Sequence, residues 1–332
     1  MENFDYSIDK ENMKKVLECF PEQLKQGLEI SKNIKLDKEY KQIAILGMGG
    51  SALPGDLLKC YLEDKVIHVI KDYHLPKYIN KDTLIFAISY SGNTEETISS
   101  YREAIKTGAD IVAISSGGKI EQIAQLNNNP YIKVPKGIQP RQAFGYLFFS
   151  LLGVLKENNI VNIEDSEIED IYKSLKNDMY PTKSKELALK IYGKIPVVYS
   201  SSRMFVIAEK WKISFNENSK IPAFYNIFPE LNHNEMNGFV NVNNDYFIIL
   251  IKDDDDNLAV QKRMDIFKEL VKEKNIEVIE LKIKGNSKLN KIFSGMYLSD
   301  WVSYYLALLH ETDPTPVKMV EDFKDKLKKA GF

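Results

Sequence analysis

Apolar positions along this chain fall into two rhythms. Met13, Val16, Leu17, Phe20, Leu24 and Leu28 recur at helical spacing and predict a helix over 10–32. Short, nearly continuous apolar runs follow at 43–46, 66–70, 84–88, 111–114 and 131–134, with helical patterns at about 53–62 and from 98 to 105. A long apolar helix is expected over about 141–156. Strands that are apolar throughout, separated by helices, predict a parallel sheet covered on both faces.

Residues 157–175 are polar and acidic and read as a linker plus a helix. The rhythm then recurs more loosely. A strand at 196–199 runs into Ser200-Ser201-Ser202 and a helix over about 204–216, with further strands at 246–251 and 278–281. Helices are expected at about 258–274, 288–310 and 316–330, with Pro316 in the first turn of the last. The second half thus begins as the first does, with strand, turn and helix, and reads as a diverged second copy. The expected fold class is α/β, in two tandem domains, 1–156 and 157–332.

A chain of 332 residues suits two domains. Its 44% hydrophobic content is enough for two cores, and 28% charged residues is ordinary for a globular protein. A net charge of −2 gives no general drive toward nucleic acid or an anionic membrane. No apolar run approaches the ~18–20 residues that span a bilayer. The acidic start, Met1-Glu2-Asn3-Phe4-Asp5, does not read as a secretory signal. Two cysteines, Cys19 and Cys60, suggest neither a disulfide framework nor a cysteine metal site. A cytoplasmic enzyme is expected.

The densest candidate chemistry is Ser89-Tyr90-Ser91-Gly92-Asn93-Thr94-Glu95-Glu96-Thr97, which joins a strand to a helix. Gly92 lets the backbone approach a ligand, and Ser89, Ser91 and Thr94 crowd hydroxyls into the turn. The helix that follows offers unpaired N–H groups and a positive dipole end, so such a turn binds an anion, most often phosphate. Gly47-Met48-Gly49-Gly50-Ser51-Ala52 fits a dinucleotide fingerprint, with Asp72 near the place of its acidic residue. Equally, it reads as a tight turn in which Ser51 adds a hydroxyl to the 89–94 site, or as an ordinary glycine turn.

Arg141, in Pro140-Arg141-Gln142, would start a helix, where the dipole disfavours a cation unless it faces an anion. A surface salt bridge is the alternative. Glu217, in Asn216-Glu217-Asn218-Ser219-Lys220, follows Trp211, Ile213 and Phe215 and is a candidate general base, or else a solvated helix-end carboxylate. His233 lies in Pro229-Glu230-Leu231-Asn232-His233-Asn234-Glu235, read as a loop, where Asn and Glu neighbours could fix its tautomer. Zinc is disfavoured there because no second histidine stands at ligand spacing. His68, His74 and His310 read as structural. Asp253-Asp254-Asp255-Asp256 reads as a solvated loop, since consecutive carboxylates without a glycine do not make a calcium loop. Lys324 lies two turns into the last helix, where most lysines are solvated.

Together, the 47–51 turn, Ser89-Tyr90-Ser91-Gly92-Asn93-Thr94 and the strand alternation resemble a sugar isomerase (SIS) domain. Asn216-Glu217-Asn218, Pro229-Glu230-Leu231-Asn232-His233-Asn234-Glu235 and Asp313-Pro314-Thr315-Pro316-Val317 narrow the resemblance to the bifunctional phosphoglucose/phosphomannose isomerases of archaea and some bacteria. The resemblance covers nearly the whole chain and implies two tandem SIS domains, each a parallel β-sheet flanked by helices on both faces. It implies aldose–ketose isomerisation of glucose 6-phosphate or mannose 6-phosphate with fructose 6-phosphate, through a cis-enediol. Ser51, Ser89, Ser91 and Thr94 would hold the phosphate, with Gly50 and Thr315 also at the substrate. Glu217 would move the proton between C1 and C2, Arg141 would stabilise the enediolate, and Lys324 matches the family's C-terminal lysine. His233 would help open the ring and would arrive from the partner subunit of a homodimer. No metal or cofactor is implied. Two alternatives remain open: a non-catalytic phosphosugar sensor, against which no basic DNA-binding helix stands out, and an amino-sugar isomerase of the glucosamine synthase type, whose N-terminal cysteine is missing.

Overall fold

The computed structural model describes residues 4–242 and 245–330. The chain forms two compact units, and neither is one continuous stretch. The first unit comprises Glu18–Asn177 and Lys284–Ser294; the second comprises Met1–Leu17, Asp178–Ile283 and Gly295–Phe332. Relative to a division at 156/157, 157–177 and 284–294 pack with the first unit, and 4–17 with the second.

The first unit is built on strands β1 (Gln42–Leu46), β2 (Ile67–Ile70), β3 (Thr83–Ile88), β4 (Asp110–Ser115) and β5 (Tyr131–Lys133), in the order β2-β1-β3-β4-β5 and parallel throughout. Every residue of β3 is buried, as a central strand covered on both faces requires. Ala44, Leu46, Ile85, Ala87, Ile111 and Ala113 face a core shared with helices Glu95–Ile105 and Gly118–Leu126. On the opposite face Ile45 meets helix Leu53–Tyr61. Helix Phe144–Glu157 is almost wholly buried, and Phe293 packs among Phe20, Phe144, Phe148 and Phe149.

The second unit repeats the order with one strand fewer. β6 (Ile195–Ser201), β7 (Phe224–Phe228), β8 (Tyr246–Lys252) and β9 (Glu277–Lys282) lie as β7-β6-β8-β9, again all parallel. Val197, Tyr199, Ile248 and Leu250 face Phe228, Leu231 and, from helix Leu258–Lys272, Met264 and Phe267. In each sheet the first strand lies between the second and the third, so the chain reverses direction there. Ligands in open α/β sheets bind at the carboxyl ends of strands at such a reversal.

Several expected elements are corrected. The helix over 10–32 is two, Met13–Glu18 and Phe20–Ile30, with Pro21 opening the second. Helix Met179–Ile191 and strand β7 are additions to the expected elements. Pro181 suits that helix's first turn, and Tyr180, Ser184, Leu187, Ala188 and Ile191 form its buried stripe. β7 is an edge strand with Phe224 and Tyr225 exposed, so it lacks the apolar signature of the others. The last helix is Lys318–Lys329, so Pro316 precedes it. Among the described residues, no helix is long and apolar enough to cross a membrane.

Candidate active site

At the reversal of the first sheet, two loops are joined directly. The short 3-10 turn Gly49–Ser51 after β1 presents Ser51, whose Oγ accepts the Tyr90 N–H at 3.0 Å. After β3, the Ser89 and Thr94 hydroxyls lie 2.9 Å apart, and Ser91 Oγ accepts the Asn93 N–H at 3.3 Å. Thr94 is the N-cap of helix Glu95–Ile105 but makes no side-chain cap bond. The first-turn N–H groups are thus left for another acceptor. One turn in, the Thr97 hydroxyl is buried without a partner among the described residues. Gly92 has φ +69°, and a Cβ there would lie 1.7 Å from the Gly117 carbonyl oxygen, so the loops after β3 and β4 touch backbone to backbone.

Arg141 belongs to this group. It does not start the long helix, as expected, but sits in a separate 3-10 turn, Pro140–Gln142, ahead of it. The helix-dipole argument therefore does not apply to it. The residue is 2% exposed, and its backbone lies against Gly50, where a Cβ would be 3.1 Å from the Arg141 N and Cα. The first unit thus brings Gly50, Ser51, Ser89, Ser91, Thr94 and Arg141 together.

In the second unit, helix Phe205–Ser214 ends in one turn of π-helix, Phe215–Ser219, and half-buried Glu217 lies in that turn. Wide turns of this kind are rare and recur at functional sites. Side chains and backbone of the long helix Lys288–Leu309 hold it: Asn218 Nδ2 donates to Ser303 Oγ at 2.9 Å, and Ser219 Oγ to the Ser303 carbonyl at 2.7 Å. Beneath lies a buried ion pair, Lys210 Nζ to Asp300 Oδ1 at 2.5 Å, and Ser214 Oγ donates to the same carboxylate oxygen at 3.0 Å. Lys220 follows in the left-handed region at φ 58°. Its ammonium donates to the carbonyls of Glu217 at 2.5 Å and Pro314 at 2.9 Å, which ties the Glu217 turn to the segment carrying buried Thr315.

His233 is exposed at the end of a 3-10 turn, Glu230–His233, rather than in an irregular loop. Its ring makes no hydrogen bond among the described residues. Its neighbours are engaged elsewhere: Asn234 Nδ2 donates to Glu230 at 3.0 Å, and the Glu235 carboxylate accepts from Tyr199 Oη at 2.5 Å and from Asn226 Nδ2. Glu235 anchors the turn to the sheet, Asn234 closes the turn on itself, and neither sets the histidine tautomer. Burial, with help from the Glu235 carboxylate, pushes the Tyr199 phenol far above its ordinary range. Lys324 is exposed on helix Lys318–Lys329, which has no buried residue.

The other histidines have local partners. His68 Nε2 is 3.0 Å from Gln42 Oε1, His74 Nδ1 is 3.0 Å from the Glu103 carboxylate, and His310 lies against the Tyr192 ring. Burial lowers the pKa of His68 and His310, while the hydrogen bond to Glu103 raises that of exposed His74.

The reversal of the second sheet is filled by the chain itself, and here the aspartate run departs from expectation. Asp253 and Asp256 are buried, not solvated. Arg203 pairs with Asp253, and Ser201 Oγ donates to Asp256 Oδ1 at 2.5 Å. Burial raises the Asp256 pKa, partly opposed by the Ser201 bond. Carboxylates occupy the place where the first unit presents hydroxyls. Among the described residues, no group of His, Cys, Asp or Glu is arranged to hold a metal ion.

Sequence comparison gives two domain matches. The SIS domain matches residues 38–147, and the bacterial phospho-glucose isomerase C-terminal SIS domain matches 181–327. A protein of Caldicellulosiruptor bescii named bifunctional phosphoglucose/phosphomannose isomerase is 40% identical, over 92% of this chain and 96% of its own length. A protein of the same name from Aquifex aeolicus is 40% identical, over 96% of this chain and 99% of its own. Among solved structures, a hypothetical protein of Thermus thermophilus shares the fold, with a TM-score of 0.73 at 15% identity, over 95% of this chain and 89% of that one.

Proposed function

Because this chain belongs to the bifunctional phosphoglucose/phosphomannose isomerase family, we propose that it interconverts glucose 6-phosphate and mannose 6-phosphate with fructose 6-phosphate. The observation that carries this reading is the 40% identity to relatives of that name along 96% of the chain. The hydroxyl-lined turns at the first sheet's reversal supply a physical reason for a phosphosugar.

The roles follow from what the reaction needs. Ser51, Ser89, Ser91 and Thr94 hold the phosphate with Gly50 beside them, and Thr315 contacts the sugar. His233 passes a proton as the ring opens. Glu217 takes the proton from C2 of the open aldose and returns it to C1, while the hydroxyl proton moves from O2 to O1. Arg141 offsets the charge that develops on the enediolate oxygens, and Lys324 supplies a second cation to the reaction. Glucose and mannose phosphates differ only at C2, and that carbon becomes planar in the enediol, so one site serves both. The site works without a metal or cofactor, and a cytoplasmic location suits it, because the phosphate charge keeps such sugars from crossing a bilayer.

The test is direct. Purified protein given fructose 6-phosphate forms glucose 6-phosphate, followed through a coupled dehydrogenase, at the same rate with and without EDTA. Absence of turnover in either direction by folded protein overturns the reading, and ligand-induced stabilisation without turnover would favour a sensor.

The exposed His233, whose ring makes no hydrogen bond among the described residues, lies on a turn anchored by Glu235 and supports a homodimer in which this histidine acts on the other chain's substrate. Co-expressing Glu217→Gln and His233→Ala chains is then expected to restore activity, to about a quarter of the parental value, because one of the two sites in each mixed dimer is intact. No recovery in demonstrated mixed dimers places His233 in its own chain's site.

A further inference from the structure

Tyr90 sits inside the proposed phosphate turn, is 5% exposed, and bonds to the loops that follow β1, β4 and β5 at the carboxyl edge of the first sheet. Its N–H donates to Ser51 Oγ after β1 at 3.0 Å. Its carbonyl accepts the Ser116 N–H at 2.9 Å and the Ser116 hydroxyl at 2.7 Å, after β4. Its phenol donates to the Pro135 carbonyl at 2.9 Å and accepts the Ile138 N–H at 3.3 Å, after β5.

That last pair of bonds matters for Arg141. The segment from Val134 to Gln139 has no helix or strand and leads directly into the 3-10 turn Pro140–Gln142. Pro135 has no N–H, and Gly137 is at φ +107°. At one end the Val134 N–H is held by the Ser115 carbonyl, and at the other the Gln139 carbonyl caps the turn. Among the described residues, 135–138 is held by hydrogen bonds to the Tyr90 phenol alone. Burial raises the phenol's pKa, so it stays protonated and keeps donating to Pro135.

We propose that Tyr90 is a positioning residue for Arg141: one side chain carries the placement of the phosphate turn, through Pro135 and Ile138, to the guanidinium three residues further on. Phosphate binding and charge stabilisation are thereby set in register with each other. The proposal rests on the roles given above to Ser89, Thr94 and Arg141.

Tyr90→Phe removes only the oxygen and leaves the ring packed, so the fold is kept. The expected result is a loss in kcat of roughly ten- to a hundredfold, the cost of a small misplacement of a catalytic group, with KM for fructose 6-phosphate almost unchanged. In an Arg141→Gln background the same substitution costs nothing further, because both act through one group. An equal loss in both backgrounds, or a rise in KM alone, overturns the proposal. Hydrogen exchange decides it without turnover. Fructose 6-phosphate is expected to protect both 89–97 and 135–142 in the parent, but only 89–97 in Tyr90→Phe. Protection of 135–142 retained in the variant, or absent from both segments in the parent, overturns it. Loss of turnover in the parent with the exchange pattern intact sinks the isomerase reading and leaves the coupling standing.

Discussion

Replacing Glu217 by Gln is expected to lower kcat for fructose 6-phosphate isomerisation by roughly 10²–10⁴-fold, the usual contribution of a positioned general base. KM should stay within a small factor, since the amide keeps the shape and the hydroxyls proposed to hold the phosphate belong to other residues. The turn that carries residue 217 is held by its neighbours. The contacts that hold the π-turn come from Asn218, Ser219 and Lys220, and the hydrogen bond given to Lys220 by residue 217 uses its main-chain carbonyl. None of these depends on the Glu217 carboxylate, so the π-turn is expected to keep its contacts with helix Lys288–Leu309 in the variant. A second readout separates proton transfer from binding. Solvent deuterium should enter C1 of fructose 6-phosphate with the parent and cease to enter with Glu217→Gln at matched substrate occupancy. A variant that keeps full kcat removes Glu217 from the base role, and one that loses activity only through KM makes it a binding residue.

The proposed phosphate half of the site is legible in the sequence because its chemistry is local. Ser89, Ser91, Gly92 and Thr94 occupy one turn, and a strand-to-helix turn of that composition has few other uses. That Ser51 belongs with them depends on strand order, and the reversal between β1 and β3 makes the two turns neighbours. Arg141 stands out in the sequence for a reason that fails. Its helix starts later, at Phe144, and what matters is the close backbone contact with Gly50, which no spacing rule encodes.

The second unit is harder to read because its signals are distributed. Asp253 and Asp256 look like a solvated run until Arg203 and Ser201, some fifty residues earlier, are brought to them across the sheet. The aspartates thus stand where the first unit carries its hydroxyl turn. Lys220 is visible only as the last letter of a motif, yet its ammonium links two segments 94 residues apart. One further residue does carry a sequence signal. Asp300 is an isolated charge within an otherwise apolar stretch of helix, and such charges are almost never buried unless paired; its partner Lys210 stands between Glu209 and Lys212 and is marked out only by its burial.

That pair supports the other large effect. Asp300→Ala is expected to destabilise the protein by about 3–5 kcal/mol, the range for removing one partner of a buried ion pair. Lys210 is 1% exposed, so the variant leaves an ammonium in the core with its counter-ion gone and no route to water. Ser214 also loses its carboxylate acceptor. The loss should appear as a lower urea midpoint with little change in slope, as expected when stability falls and the folded state keeps its compactness. The cost lies in the orphaned charge more than in the lost attraction, and a second substitution distinguishes the two. Lys210→Met with Asp300→Leu removes both charges while keeping apolar bulk, and should recover most of the lost stability. If Asp300→Ala unfolds at the parental midpoint, or if the paired replacement is no better than the single one, the buried pair is not what holds helix Phe205–Ser214 to helix Lys288–Leu309 beneath the Glu217 turn.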